Sequence, residues 1–315
     1  MSGLSSHRLE GLGLAGGSRN ITDDALSDHE DDGASCADAA ALTWTDARVA
    51  DARAAQEGGL RVRQLVIGGA EAADAFLACA FATFTEVGAI AAESATEPRW
   101  SLRVDAGALG GGDGAAVALD KMVVVISSSL ASGTAGSAAA RVAATRGKKG
   151  IARGDEWRWV EPLMQNIVAD QVVVLDTVKV SAVPLVSAAE GKPQAPFLFQ
   201  IGTSAFVAGG QRMAAGAGAA KTGVSLAAVP DLPSPILLEG PGAAALTLCE
   251  ARGANAVALV SLVERTIDSS TLVAFETPFG IGGGVSDTDG ERRARKLRYR
   301  EAVKGCSKKL DGLYL

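Results

Sequence analysis

Arg61-Val62-Arg63-Gln64-Leu65-Val66-Ile67-Gly68-Gly69 alternates polar with apolar residues, turns fully apolar and breaks on two glycines. A strand entering the interior of a sheet and ending in a tight turn reads this way. A helical stripe follows at once, with Ala73, Phe76, Leu77, Ala80, Phe81 and Phe84 at three- and four-residue steps. The unit is strand, glycine turn, amphipathic helix.

The same alternation recurs downstream. Met122 to Ile126 and Val172 to Leu175 are apolar runs of strand length, and Ala256 to Val263 is the most apolar of the late segments. Between them, Asp155 is placed to cap a helix through Val168, with Trp157, Val160, Met164 and Ile167 on one face and Pro162 kinking it or delaying its start. A shorter strand is expected around 224–229. Pro241 suits the first turn of a helix that runs to about Arg252. Another helix is expected over 269–279. Continuous apolar strands alternating with helices predict an α/β fold: one domain with a mostly parallel central sheet covered on both faces.

Outward from that body, residues 1–58 read as a disordered acidic tail. Asp23, Asp24, Asp28, Glu30, Asp31 and Asp32 bring charge with almost no apolar surface to bury. The α/β domain is expected over 59–280, and 281–315 as a flexible linker, a basic helix and a tail. Glu291 to Leu310 holds nine Lys and Arg, with Tyr299, Val303, Cys306 and Leu310 at helical spacing. Gly312 then ends the helix. Ala/Gly-rich stretches near 127–150 and 208–223 read as exposed loops.

Composition narrows the function. The chain has 315 residues, 48% hydrophobic and only 4% aromatic, enough for a core built mainly from Val, Leu, Ile and Ala. Its net charge of -6 disfavours a general nucleic-acid binder. No apolar run approaches the ~20 residues of a membrane span, and no signal peptide is evident. Cys36, Cys79, Cys249 and Cys306 are scattered, which predicts reduced thiols and a cytoplasmic location, with the nucleus as a second.

Both histidines, His7 and His29, fall in the expected tail. The body is therefore expected to lack Ser-His-Asp or Cys-His activation and histidine metal ligation, and no cofactor or metal is predicted. Asp176, Glu239, Glu264 and Asp268 lie at strand or helix ends without a recognisable pairing. Gly11 to Gly16 spells G-x-G-x-x-G, but with no strand before it. Gly68-Gly69 does follow a strand and open a helix, so its amides could face a phosphate or simply let helix and sheet approach. The sequence closes on Leu313-Tyr314-Leu315, a hydrophobic residue, a tyrosine and a carboxylate of the kind partner proteins capture.

Four stretches together resemble the proteasome assembly chaperone 1 family. They are Leu65 to Gly69 with its helix to Phe81; Trp157-Arg158-Trp159-Val160-Glu161 running into Val172 to Leu175; Pro196-Phe197-Leu198 with Thr203; and Leu232-Pro233 through Leu237 to Pro241, followed by Ala256 to Leu259 and Thr271 to Glu276. They span about 60–280 in the family's order, and the terminal tripeptide is similar to its hydrophobic-Tyr-any tail. The resemblance implies an α/β chaperone, not an enzyme, that pairs with a proteasome assembly chaperone 2-like protein. It also implies binding to the proteasome α-ring, with Leu313 and Tyr314 as the anchors and Leu315 carrying the carboxylate. Nucleic acid and membrane are not expected partners. The rival is an enzyme on a nucleoside-phosphorylase-like sheet that uses Gly68-Gly69 and carboxylates at strand ends.

Overall fold

The computed structural model describes residues 40–91, 99–105, 109, 123–127, 156–182, 197–209, 229–234, 236–264, 266–281 and 288–311. In chain order the elements are β1 (Ala41–Trp44), α1 (Ala47–Ala54), β2 (Leu60–Gly68), α2 (Glu71–Ala80), β3 (Thr85–Ala91), β4 (Arg99–Val104) and β5 (Val123–Ser127). There follow α3 (Glu156–Asn166), β6 (Ile167–Lys179), β7 (Leu198–Gly202), α4 (Ser204–Ala208), α5 (Gly240–Ala251), β8 (Ala256–Val263), α6 (Ser269–Ala274) and α7 (Asp289–Asp311).

The strands form one sheet in the order β1-β3-β4-β5-β2-β6-β8-β7. Its centre, β5-β2-β6-β8, is parallel. On one flank β4, β3 and β1 pair antiparallel, and on the other β7 pairs antiparallel with β8. The α/β reading with a parallel central sheet therefore holds, and antiparallel strands extend it on both sides.

Period-two alternation sorts the central strands onto two faces. Leu65, Ile67, Val172, Val174, Ala258 and Val260 join a core with α1, α3 and α5. Val66, Val173, Leu175, Val257 and Leu259 join a second core with α2, α4, α6 and α7. The result is three layers. Where the parallel strands enter the interior, Gln64 donates from Nε2 to Gln171 Oε1 at 2.9 Å, so the buried amides of β2 and β6 meet one another inside.

Two expectations need correction. Folded structure starts before residue 59: β1 pairs with β3 and α1 buries Val49 completely. Asp46 caps α1 by accepting from the Arg48 and Val49 amides, and the Arg48 hydrogen bond holds its carboxyl below the usual range. Residues 41–54 thus carry just enough apolar surface, in Leu42, Trp44 and Val49, to join an edge. The basic helix is likewise part of the body. In α7, Tyr299 and Ala302 are fully buried in the second core.

Local detail differs as well. Helix α3 buries Trp159, Val160, Leu163 and Met164, whereas Trp157 is 45% exposed. Trp159 points inward because Trp100 of β4 waits there, with ring centroids 6.1 Å apart. Pro162 sits within α3, and Asn166 closes the helix by donating to the Pro162 carbonyl. The strand expected at 224–229 and the loop stretches lie almost wholly outside the described residues. No helix among the described residues is long and apolar enough to cross a membrane.

Candidate functional site: the sheet crest and the basic helix

The chain leaves β2 toward β5 on one side and returns through α3 to β6 on the other, so the strand order reverses between β2 and β6. In open α/β sheets, ligands favour the crevice at the carboxyl ends of such strands. Gly68-Gly69 and Asp176 stand there.

Two glycine-containing turns and two carboxyls fill that place. Gly69 donates its amide to the Leu175 carbonyl at 2.8 Å. A Cβ on Gly69 would lie 3.1 Å from the Gly242 Cα and 3.3 Å from Asp176 Oδ2. One on Gly242 would lie 2.9 Å from Asp176 Oδ2 and 3.0 Å from Val174 Cγ1. The turn before α2 and the first turn of α5 therefore meet backbone to backbone, with the Asp176 side chain beside them. Asp74, in the first turn of α2, is also buried and rests over Gly68.

Asp176 is 5% exposed. Its Oδ1 accepts from the Thr177 amide at 2.7 Å, while Oδ2 meets no donor among the described residues. Burial pushes its carboxyl up to about 6, only partly opposed by the Thr177 bond. A carboxyl so poised is suited to proton transfer. Its surroundings are less suited to a phosphate: the Gly69 amide is engaged with Leu175, and Asp74 and Asp176 would both repel an anion. Of the two readings of Gly68-Gly69, close packing of helix and sheet is the one the geometry favours.

The other carboxylates singled out in the sequence have separate places. Asp268 caps α6, accepting from the Thr271 amide at 2.8 Å and the Ser270 hydroxyl at 2.6 Å. Burial pushes its carboxyl up, but these hydrogen bonds outweigh it and hold it below the usual range. Glu239 and Glu264 are exposed. Cys79 and Cys249 are buried, and burial pushes each thiol up to about 11, so both stay protonated at neutral pH. Among the described residues no group of three His, Cys, Asp or Glu side chains is placed to hold a metal ion.

The second feature is α7. A capping box starts it: the Glu291 amide donates to Thr288 Oγ1 at 3.2 Å, and the Thr288 amide donates to Glu291 Oε2 at 2.9 Å. Arg295 then pairs with Glu276 at 2.7 Å, both largely buried. Tyr299 enters an aromatic cluster in which Phe76 lies 6.3 Å from it, 5.4 Å from Phe275 and 5.8 Å from Phe279. Burial, then the Glu276 charge, drives the Tyr299 phenol strongly upward. The capping box was legible as Thr-x-x-Glu but was not read from the sequence; the role of Arg295 had no local signal. Past Ala302 the helical backbone continues to Asp311, nine residues or about 14 Å of rise. Leu313, Tyr314 and Leu315 follow in sequence and lie outside the described residues.

No protein-family model matches the chain, and comparison with curated proteins finds no sequence match. Among solved structures it is similar to Pyrococcus furiosus PbaB, an archaeal proteasome activator, with a TM-score of 0.47 and 9% identity over 88% of this chain and 100% of that one. It is similar to PbaA of the same organism, an archaeal homologue of proteasome-assembly chaperone, with a TM-score of 0.41 and 10% identity over 80% and 96%. A Mycobacterium tuberculosis proteasome-assembly chaperone homologue gives a TM-score of 0.35 and 10% identity over 76% and 94%.

Proposed function

We propose that this chain is a proteasome assembly chaperone, a binding protein that docks on the α-ring of the core particle together with a chaperone-2-like partner. One observation carries the reading. The stretches that resemble the family are not scattered over the fold: they are β2 with α2, α3 with β6, the start of β7 with Thr203, and α5 with β8 and α6. They include three of the four parallel strands and both turns that meet at the crest. Even Thr203 has a structural task there, donating to the Ala254 carbonyl and capping α4.

In this reading Leu313 and Tyr314 anchor the chain between ring subunits and Leu315 supplies the carboxylate. Helix α7, fixed at Arg295 and Tyr299, sets where that tail starts. The chaperone works in the cytoplasm, with the nucleus as a second location.

Asp176 is the observation that favours the rival enzyme, since it combines a switch-point position with a raised pKa. Against it stands the direct contact of Gly69 with Gly242, which occupies the place a substrate would need. Affinity purification with the carboxyl end left untagged separates the two readings. The chaperone reading expects α-ring subunits and a second α/β chaperone in the eluate. Turnover of a nucleoside that is abolished by Asp176→Asn would establish the enzyme instead.

A further inference from the structure

Helical geometry places Arg293, Leu297, Arg300 and Lys304, at steps of four, three and four, in one row along α7. The row lies opposite Arg295, Tyr299 and Ala302, the residues that bind the helix to the body. All four side chains of the row are exposed, Leu297 by 57%. Lys296 and Arg298 are also exposed beside it. Whereas Arg295 is engaged with Glu276, none of these five exposed cations makes an ion pair among the described residues.

We propose that this row is a docking surface for the acidic face of a partner protein that offers an apolar recess to Leu297. It rests on the chaperone reading only for naming the α-ring as that partner. The helix is already fixed by its buried side, so docking orders side chains but not backbone, which keeps its entropic cost low. Unneutralised cations in a row speed encounter with an acidic surface and confer salt dependence. A nucleic-acid backbone would satisfy the cations equally, but it has no use for a leucine in their midst. The one ring on this helix, Tyr299, is also buried and cannot stack on a base.

The full chain can be titrated with two probes of equal charge, a Glu/Leu peptide and a single-stranded RNA, at about 50 and about 200 mM salt. The peptide should bind more tightly than the RNA. The combined variant Arg293→Glu, Arg300→Glu, Lys304→Glu should bind the peptide about tenfold more weakly. Leu297→Ser should lose about threefold, most visibly at the higher salt. Arg293→Lys with Arg300→Lys should bind as wild type does, and equal melting temperatures across the set establish that the fold is intact. RNA binding as tight as peptide binding overturns the proposal. So does a charge-reversed or Leu297→Ser variant that binds like wild type, or failure of both probes. The two readings fail separately: peptide binding without α-ring capture removes the ring as partner and keeps the row. Capture of α-rings that ignores charge reversal removes the row and keeps the chaperone.

Discussion

Asp176 makes the sharpest claim at the scale of single residues. Its carboxyl moves from an ordinary 3.8 to about 6 on folding because burial disfavours the charge. The native state therefore holds this proton more tightly than the unfolded state. Stability from this group is fully present below about pH 4 and is lost as pH rises through about 6, amounting to about 3 kcal/mol. Asp46 and Asp268, with lowered carboxyls, act in the opposite sense, so the comparison must isolate one residue. Asp176→Asn should flatten the stability change between pH 4 and 7 relative to wild type and melt higher at neutral pH. Chemical denaturation of both proteins across that range checks it. Gly242→Ala should do the reverse: its methyl meets Asp176 Oδ2 and Val174, at a cost of about 1–2 kcal/mol despite the better helix propensity. In an Asp176→Ala background that cost should shrink, which a double-mutant cycle would register. The sequence offered Asp176 as one carboxylate among several, because the packing that sets it apart comes from α2 and α5, far along the chain.

Among the elements, α7 is held by named contacts that single substitutions can test. Thr288→Ala removes half of the capping box and should cost about 1 kcal/mol. Tyr299→Ala empties a site shared with Phe76 and should cost about 3–4 kcal/mol. If α7 packs as described, limited proteolysis should cut within 289–304 much faster in Tyr299→Ala than in Thr288→Ala. The helix itself was readable from its spacing, but its packing was not. Nine cations in twenty residues read as a solvated segment, and the rings that receive Tyr299 come from α2 and from the turns after α6. The strands show the same division. β2, β6 and β8 announce themselves through apolar runs. By contrast β3 (Thr85–Ala91) contains Gly88 and small residues, and that glycine is there because the Thr43 carbonyl of β1 approaches within 2.9 Å of where a Cβ would sit. β1 and β7 are four and five residues long, too short for a period to show.

For the whole molecule, the class of fold and its parallel centre were legible because buried parallel strands carry near-continuous apolar runs, as Leu65–Ile67, Val172–Leu175 and Ala256–Val260 do. The antiparallel flanks were not, since β3 and β4 mix small and polar residues with their apolar ones and β1 and β7 are short. The candidate crest was partly legible through Gly68-Gly69, but Gly242 and Asp74 acquire meaning only when the turns meet. The docking role of the terminal tripeptide is the central claim, and it turns on two groups, the Tyr314 ring and the terminal charge. A carboxylate held by a cation at partial burial contributes roughly 1.5–3 kcal/mol, so displacing it should weaken binding about tenfold or more. The most direct measurement is α-ring binding by the wild-type chain and by a chain with two glycines added after Leu315, each together with the proposed chaperone-2-like partner. The extended chain should bind about as poorly as Tyr314→Ala. Equal binding by the wild-type and extended chains would contradict it.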